Sequence, residues 1–257
     1  MLRIYIQHFL RKVLLIATLA CMYSENSFAD TILIKSNDEV NITATTYIVN
    51  DEPKTPIIVL FHQAGWSRGE YIDIAPKLNQ LGFNCIAVDL RSGESINDVD
   101  NLTAKHANKL NKSTRYIDAL PDVLSSLQYV NKHFPESEVI AWGSSYSAAL
   151  VLNVAGTHPQ LIDGAISFAP GEYFSKQGKS NTWIQETAAT IDIPIFITSA
   201  KNEEKNWSDI YNSIESNKKT SFIPNTKGNH GSRALWDSFA DSEDYWQAVI
   251  TFLKEHF

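Results

Sequence analysis

The sequence predicts one α/β domain on a doubly wound, mostly parallel sheet with helices on both faces. Three observations carry this. Apolar runs of strand length, such as Ile57-Ile58-Val59-Leu60-Phe61 and Val139-Ile140-Ala141-Trp142, are continuous rather than alternating, which is the pattern of strands buried on both faces. Segments with helical spacing alternate with them along the chain. No repeat, low-complexity tract or linker divides the chain, and its length suits a single core.

The elements follow in order. Residues 1–29 read as a signal peptide: Arg3, Arg11 and Lys12 give a positive start, residues 13–22 are apolar but short for a membrane span, and Ser27-Phe28-Ala29 offers a small-residue cleavage site. Cleavage after Ala29 implies a periplasmic or secreted protein. A lipoprotein reading through Cys21 is weaker, because Thr18-Leu19-Ala20 lacks a large apolar residue three before the cysteine.

Residues 31–35 and 40–49 pair as a hairpin with Asn37-Asp38 at its turn. Residues 56–61 form a buried strand, and Tyr71, Ile74, Leu78 and Leu81 mark a helix over 70–81 that Gly82 closes. Residues 85–90 are the next strand, and the polar segment 95–113 is expected to be a loop insertion. A helix covers 116–134, with Pro121 early enough to be tolerated. A strand over 139–144 runs into a helix, and strands at 164–168 and 194–198 flank a segment with a short helix near 182–189. A helix around 210–214, a last strand at 221–223 and a C-terminal amphipathic helix over 245–257 complete the chain.

In such a sheet, ligands sit at the carboxyl ends of the strands. The richest of these ends is Gly143-Ser144-Ser145-Tyr146-Ser147. A strand, a sharp turn on a serine and a helix make a nucleophile elbow, which needs small residues two before and two after the serine. Gly143 and Ser147 meet that need, although the second is usually glycine, so Ser145 is the candidate nucleophile. Its hydroxyl needs a base, and the base works better when a carboxylate orients it. His230, in Lys227-Gly228-Asn229-His230-Gly231 after the last strand, is the expected base. His106, His133, His158 and His256 read as surface residues. The acid is expected after the strand at 194–198, where Glu203 is better placed than Glu204 and Asp209 is third. The glutamates also suit the start of the helix near Trp207. The oxyanion would be held by the Tyr146 amide and by Gln63 or Ala64 in Phe61-His62-Gln63-Ala64-Gly65-Trp66-Ser67, with His62 bracing that loop.

Ser145, Glu203 and His230 come in the order serine, acid, histidine, the loop from His62 looks like an HG-type oxyanion loop, and Asp89-Leu90-Arg91-Ser92-Gly93 looks like the turn after the fourth strand of that fold. Together they resemble the α/β-hydrolase superfamily, in general look the small dienelactone-hydrolase-like esterases, over residues 31–257. The resemblance implies the α/β-hydrolase fold with a minimal lid and acyl-enzyme ester chemistry. Gln63 in place of the usual glycine, and glutamate in place of the commoner aspartate, depart from the pattern.

Asp89 and Arg91 read first as a buried ion pair, with Arg91 as a lesser candidate for an acidic substrate group. Trp66, Trp183 and Trp207, with Tyr146 and Phe174, are candidates to line an apolar pocket. The segment 171–193 is too short for a large lid domain, which predicts an open site and modest substrates. Removing residues 1–29 takes away three basic residues and one acidic residue, so the net charge of −7 becomes −9. An acidic chain without basic clusters argues against nucleic acid and anionic membrane surfaces. Past Ala29 the one remaining thiol is Cys85, in a strand-like run, so no intramolecular disulfide is expected. Ser, acid and His need neither metal nor organic cofactor, and no stable membrane insertion is expected after cleavage. The sequence leaves the oligomeric state open. Acyl transfer or amide cleavage by the same residues, and a catalytically silent binding protein, are the alternatives to ester hydrolysis.

Overall fold

A computed structural model describes residues 28–257. The signal-peptide reading therefore lies outside the described residues, apart from Phe28 and Ala29. Strands β1 (Phe28–Lys35) and β2 (Asn41–Ile48) form the expected hairpin, in register from Phe28↔Ile48 to Lys35↔Asn41. Glu39 takes the left-handed conformation in its turn, with φ of 74°. Further strands are β3 (Ile57–Phe61), β4 (Asn84–Val88), the two-residue pair β5 (Ser95–Ile96) and β6 (Val99–Asp100), β7 (Val139–Ser144), β8 (Gly164–Phe168), β9 (Ile195–Thr198) and β10 (Lys219–Phe222). The main sheet runs β1-β2-β4-β3-β7-β8-β9-β10, parallel from β4 onward and antiparallel at the hairpin edge.

The helices are α1 (Ile74–Gln80), α2 (Leu102–Lys109), α3 (Leu120–His133), α4 (Tyr146–Thr157), α5 (Trp183–Ala188), α6 (Ser208–Ser213) and α7 (Ser242–His256). They cover both faces of the sheet, as predicted. In β3, Ile57, Val59 and Phe61 pack toward α3, α4, α5 and α6, while Ile58 and Leu60 pack toward α1 and α7. The alternation of a strand's side chains sends successive residues into two cores. That explains why the run is apolar throughout.

Three elements differ from expectation, the first being the helix predicted over 116–134, which begins as a 3-10 turn (Tyr116–Ala119) before α3. The helix predicted over 70–81 is split into a 3-10 turn (Arg68–Tyr71) and α1. Ser67 caps the first turn by accepting from Gly69 N–H, and Glu70 is turned into the protein rather than toward solvent. The polar insertion 95–113 carries β5, β6 and α2 rather than loop alone. Asn101 caps α2 through Ala104 N–H at 2.8 Å, and Thr103 Oγ1 accepts from Thr43 N–H of β2 at 2.8 Å. Only small residues of α2 (Thr103, Ala104 and Ala107) are buried, so its sequence shows little apolar periodicity.

Candidate active site

The elbow follows β7. Ser145 adopts φ 60° and ψ −119°, a strained conformation for a side-chain-bearing residue, and α4 starts at the next residue. Its amide donates to Phe168 O at 2.7 Å, fixing the turn to β8. A Cβ at Gly143 would lie 2.4 Å from Ser147 O, so glycine is required there. Ser147 stands where glycine is usual because its hydroxyl works. It accepts from Ser144 N–H at 2.8 Å and lies against Phe61 O at 2.8 Å and Ser144 O at 2.9 Å. The elbow is thereby tied to the end of β3, where the oxyanion loop begins.

His230 and Glu203 meet. His230 Nδ1 lies 2.7 Å from Glu203 Oε1, and both side chains are about a quarter exposed, at 31% and 22%. Glu203 Oε2 also accepts from Ala200 N–H at 3.3 Å, so one residue caps the turn Lys201–Asn206 and orients the imidazole. Glu204 is exposed and makes no such contact. The histidine loop is pressed onto the elbow: Ser232 N–H donates to Ser144 Oγ at 2.9 Å. The Ser145 hydroxyl faces the hydroxyl of Tyr173, which also donates to Ala169 O at 2.8 Å. Among the described residues no hydrogen bond joins Ser145 to His230. Resting hydrogen bonds of this kind are commonly long and tighten when substrate binds.

The loop after β3 uses one of its two candidate amides internally. Gln63 N–H donates to Glu70 Oε2 at 2.8 Å, so that amide is already engaged. Among the described residues the Ala64 amide has no such side-chain partner, and Tyr146 opens α4, where a first-turn amide has no intrahelical partner. His62 is wholly buried. Its Nδ1 lies 2.7 Å from Gln63 O and its Nε2 accepts from Leu90 N–H at 2.8 Å. Burial pushes its pKa down, so it stays neutral and braces the loop, as the sequence suggested.

The family model of the serine aminopeptidases S33 matches residues 52–249. The chain belongs to this family of α/β-hydrolases. Solved structures agree on the fold. An esterase of Pyrococcus furiosus superposes with a TM-score of 0.65 at 16% identity, covering 89% of this chain and 93% of that one. A dienelactone hydrolase of Anabaena variabilis gives 0.69 at 13% identity, covering 90% and 98%. An esterase of Butyrivibrio proteoclasticus with bound ferulic acid gives 0.66 at 13% identity, covering 88% and 98%. No curated protein matches the sequence.

Other residues singled out in this hydrolase fare unevenly. Arg91 cannot meet a substrate: its guanidinium is 3% exposed and grips Asp38 (2.6 and 2.8 Å) and Asp122 (2.6 and 2.9 Å). Nor does it pair with Asp89, which is held by Arg68 at 2.6 Å. Charge partners here are chosen by tertiary packing, not by nearness in sequence. Trp207 is 2% exposed, with Nε1 donating to Ser199 Oγ at 2.8 Å. It is a core residue, not a pocket wall, and Phe174 is likewise wholly buried. Trp183 is half-buried, edge-on to Phe174 with centroids 5.0 Å apart. Trp66 is half-buried and stacks on Trp236 at 5.4 Å. Cys85 is a buried core thiol. Among the described residues no cluster of His, Cys, Asp and Glu could hold a metal ion, and no helix is long and apolar enough to cross a membrane. Sequence reasoning missed Tyr173 and Glu70. Tyr173 lies in Gly171-Glu172-Tyr173-Phe174 after β8, a strand end that could have been searched for it.

Proposed function

We propose that this hydrolase cleaves carboxylic esters of small to medium size through an acyl-enzyme intermediate. Ser145 attacks the ester carbonyl as neutral His230 takes its proton, and Glu203 keeps the imidazole in the tautomer with its proton on Nδ1. The Tyr146 and Ala64 amides receive the developing oxyanion, where losing one donor costs about 2.7–4 kcal/mol of barrier. His230 then returns the proton to the leaving alkoxide, and a water activated the same way releases the acid. The observation that carries this reading is the 2.7 Å contact of His230 with Glu203 on a loop bonded to the elbow.

A second reading, amide cleavage, is favoured by the name of the family that matches. The two are separated by comparing kcat/KM for p-nitrophenyl acetate with that for aminoacyl p-nitroanilides. Ester hydrolysis is expected to exceed anilide hydrolysis by at least about a hundredfold and to vanish in Ser145→Ala. Faster anilide cleavage would overturn the assignment.

Export completes the proposal. Cleavage after Ala29 would trim two residues from β1 and leave its pairs from Asp30↔Thr46 to Lys35↔Asn41. The mass of the protein recovered from a bacterial periplasm checks this, with an N-terminus at Asp30 expected.

A further inference from the structure

Glu70 is wholly buried beside the catalytic loops and has no part in the mechanism above. Both its oxygens are used. Oε1 accepts the Ser144 hydroxyl at 2.7 Å, and Oε2 accepts Gln63 N–H at 2.8 Å. Ser144 Oγ in turn accepts Ser232 N–H at 2.9 Å. One carboxylate thus fastens the residue before the nucleophile, the oxyanion loop and, through a single hydroxyl, the loop that carries His230. The loops come from parts of the chain far apart in sequence, and no backbone ladder joins their tips.

We propose that Glu70, in its ionised form, is the positioning residue that holds the nucleophile elbow, the oxyanion loop and the histidine loop in catalytic register; this rests on the ester-hydrolase reading above. Both neighbours of the carboxylate are donors, so only the anion satisfies them. A proton on Glu70 needs an acceptor, and Ser144 Oγ, the oxygen bonded to Oε1, could serve only by turning its own hydrogen away. Taking up that proton would loosen the Ser144 link to the histidine loop or the Gln63 link to the oxyanion loop. The anion also favours the imidazolium that His230 becomes during attack. The charged and titratable groups around Glu70 are His230 and Arg233, which favour its ionised form, and the hydroxyls of Tyr71 and Tyr146, whose ionisation it opposes. Burial outweighs the favourable contacts, and its pKa is pushed up to about 7. The switch between the two forms therefore falls near neutral pH.

The test is the pH dependence of p-nitrophenyl acetate hydrolysis from pH 5 to 9. On the acid side the wild type is expected to lose kcat with a slope approaching two, because turnover needs both an ionised Glu70 and a general base free to accept the Ser145 proton. Glu70→Gln keeps the shape and removes the charge. It is expected to lower kcat about tenfold at pH 8, to change KM less than twofold and to reduce the acid slope to one. Ser144→Ala removes a hydrogen bond that favours the anion, and should move the acid limb to higher pH. If Glu70→Gln does not fold, the wild-type limb decides alone, and a single-proton limb overturns the proposal. A Glu70→Gln enzyme that matches wild type in kcat and slope also overturns it, while turnover abolished by Ser145→Ala would leave the ester-hydrolase reading standing. A folded wild type that neither hydrolyses esters nor reacts with a fluorophosphonate overturns both.

Discussion

Glu203 joins a local structural role to the catalytic role proposed for it. As a cap of the turn after β9 it satisfies an orphan amide, and as the partner of His230 it fixes the imidazole tautomer. Either role alone would read the same in sequence, as an acidic residue at the start of a helix. Glu203→Gln retains the size and loses the charge, and is expected to lower kcat by about 10²–10⁴-fold, in line with the effect of such a change in other triads. Glu204→Gln should change kcat less than twofold. Steady-state kinetics of the two variants check both, and equal losses would show that the acid is assigned wrongly. What was legible at this scale was chemistry placed after strands: Ser145, His230 and Glu203 all stand where the order of elements puts them. What was not legible was pairing across the fold. Glu70 bonds a residue 74 positions away, and Arg91 bonds Asp38 rather than its neighbour Asp89.

At the scale of elements, the elbow is rigid because strand, turn and helix share few atoms in a tight space. Gly143 admits the backbone of Ser147 and Ala148, and the Ser147 hydroxyl ties β7 to β3. The imperfect flank of the motif is thus a second fastening. Ser147→Ala leaves Ser144 N–H buried without its partner, which costs about 1–3 kcal/mol. Thermal unfolding of the variant should show a lower Tm, and kcat should fall more than KM rises, since the elbow and oxyanion loop lose their link. An unchanged Tm would show that the hydroxyl bears nothing. The strands were readable because burial on both faces leaves no polar positions, and α3, α4 and α7 because their apolar faces are wide. The helix α2 was not, because it is held by Asn101, Thr103 and two alanines rather than by a stripe of large apolar residues.

Across the whole molecule, the site hangs at the carboxyl edge of a six-stranded parallel core whose two faces are each filled by a separate apolar cluster. Stability and catalysis meet at the buried titratable groups. Glu70 is raised by burial from 4.5 to about 7, so the folded state holds its proton more tightly than the unfolded chain. Its contribution to stability is full below about pH 4.5 and is lost as pH rises toward 7. His62, lowered by burial, acts in the opposite sense: unfolding lets it take up a proton, so stability falls as pH drops below its ordinary value of about 6.5. The difference in unfolding free energy between wild type and Glu70→Gln isolates the first effect. It should shift in favour of the variant between pH 4.5 and 7, and a flat difference would mean that Glu70 is not raised.

The central claim is that Ser145, activated by His230, is the nucleophile of an acyl-enzyme reaction. Labelling of the purified protein with a fluorophosphonate, followed by mass analysis of the modified peptide, tests it most directly. Wild type should carry one adduct on Ser145, with labelling lost in Ser145→Ala and slowed at least a hundredfold in His230→Ala. A folded wild type that takes no label, or an adduct on Ser144, would contradict it.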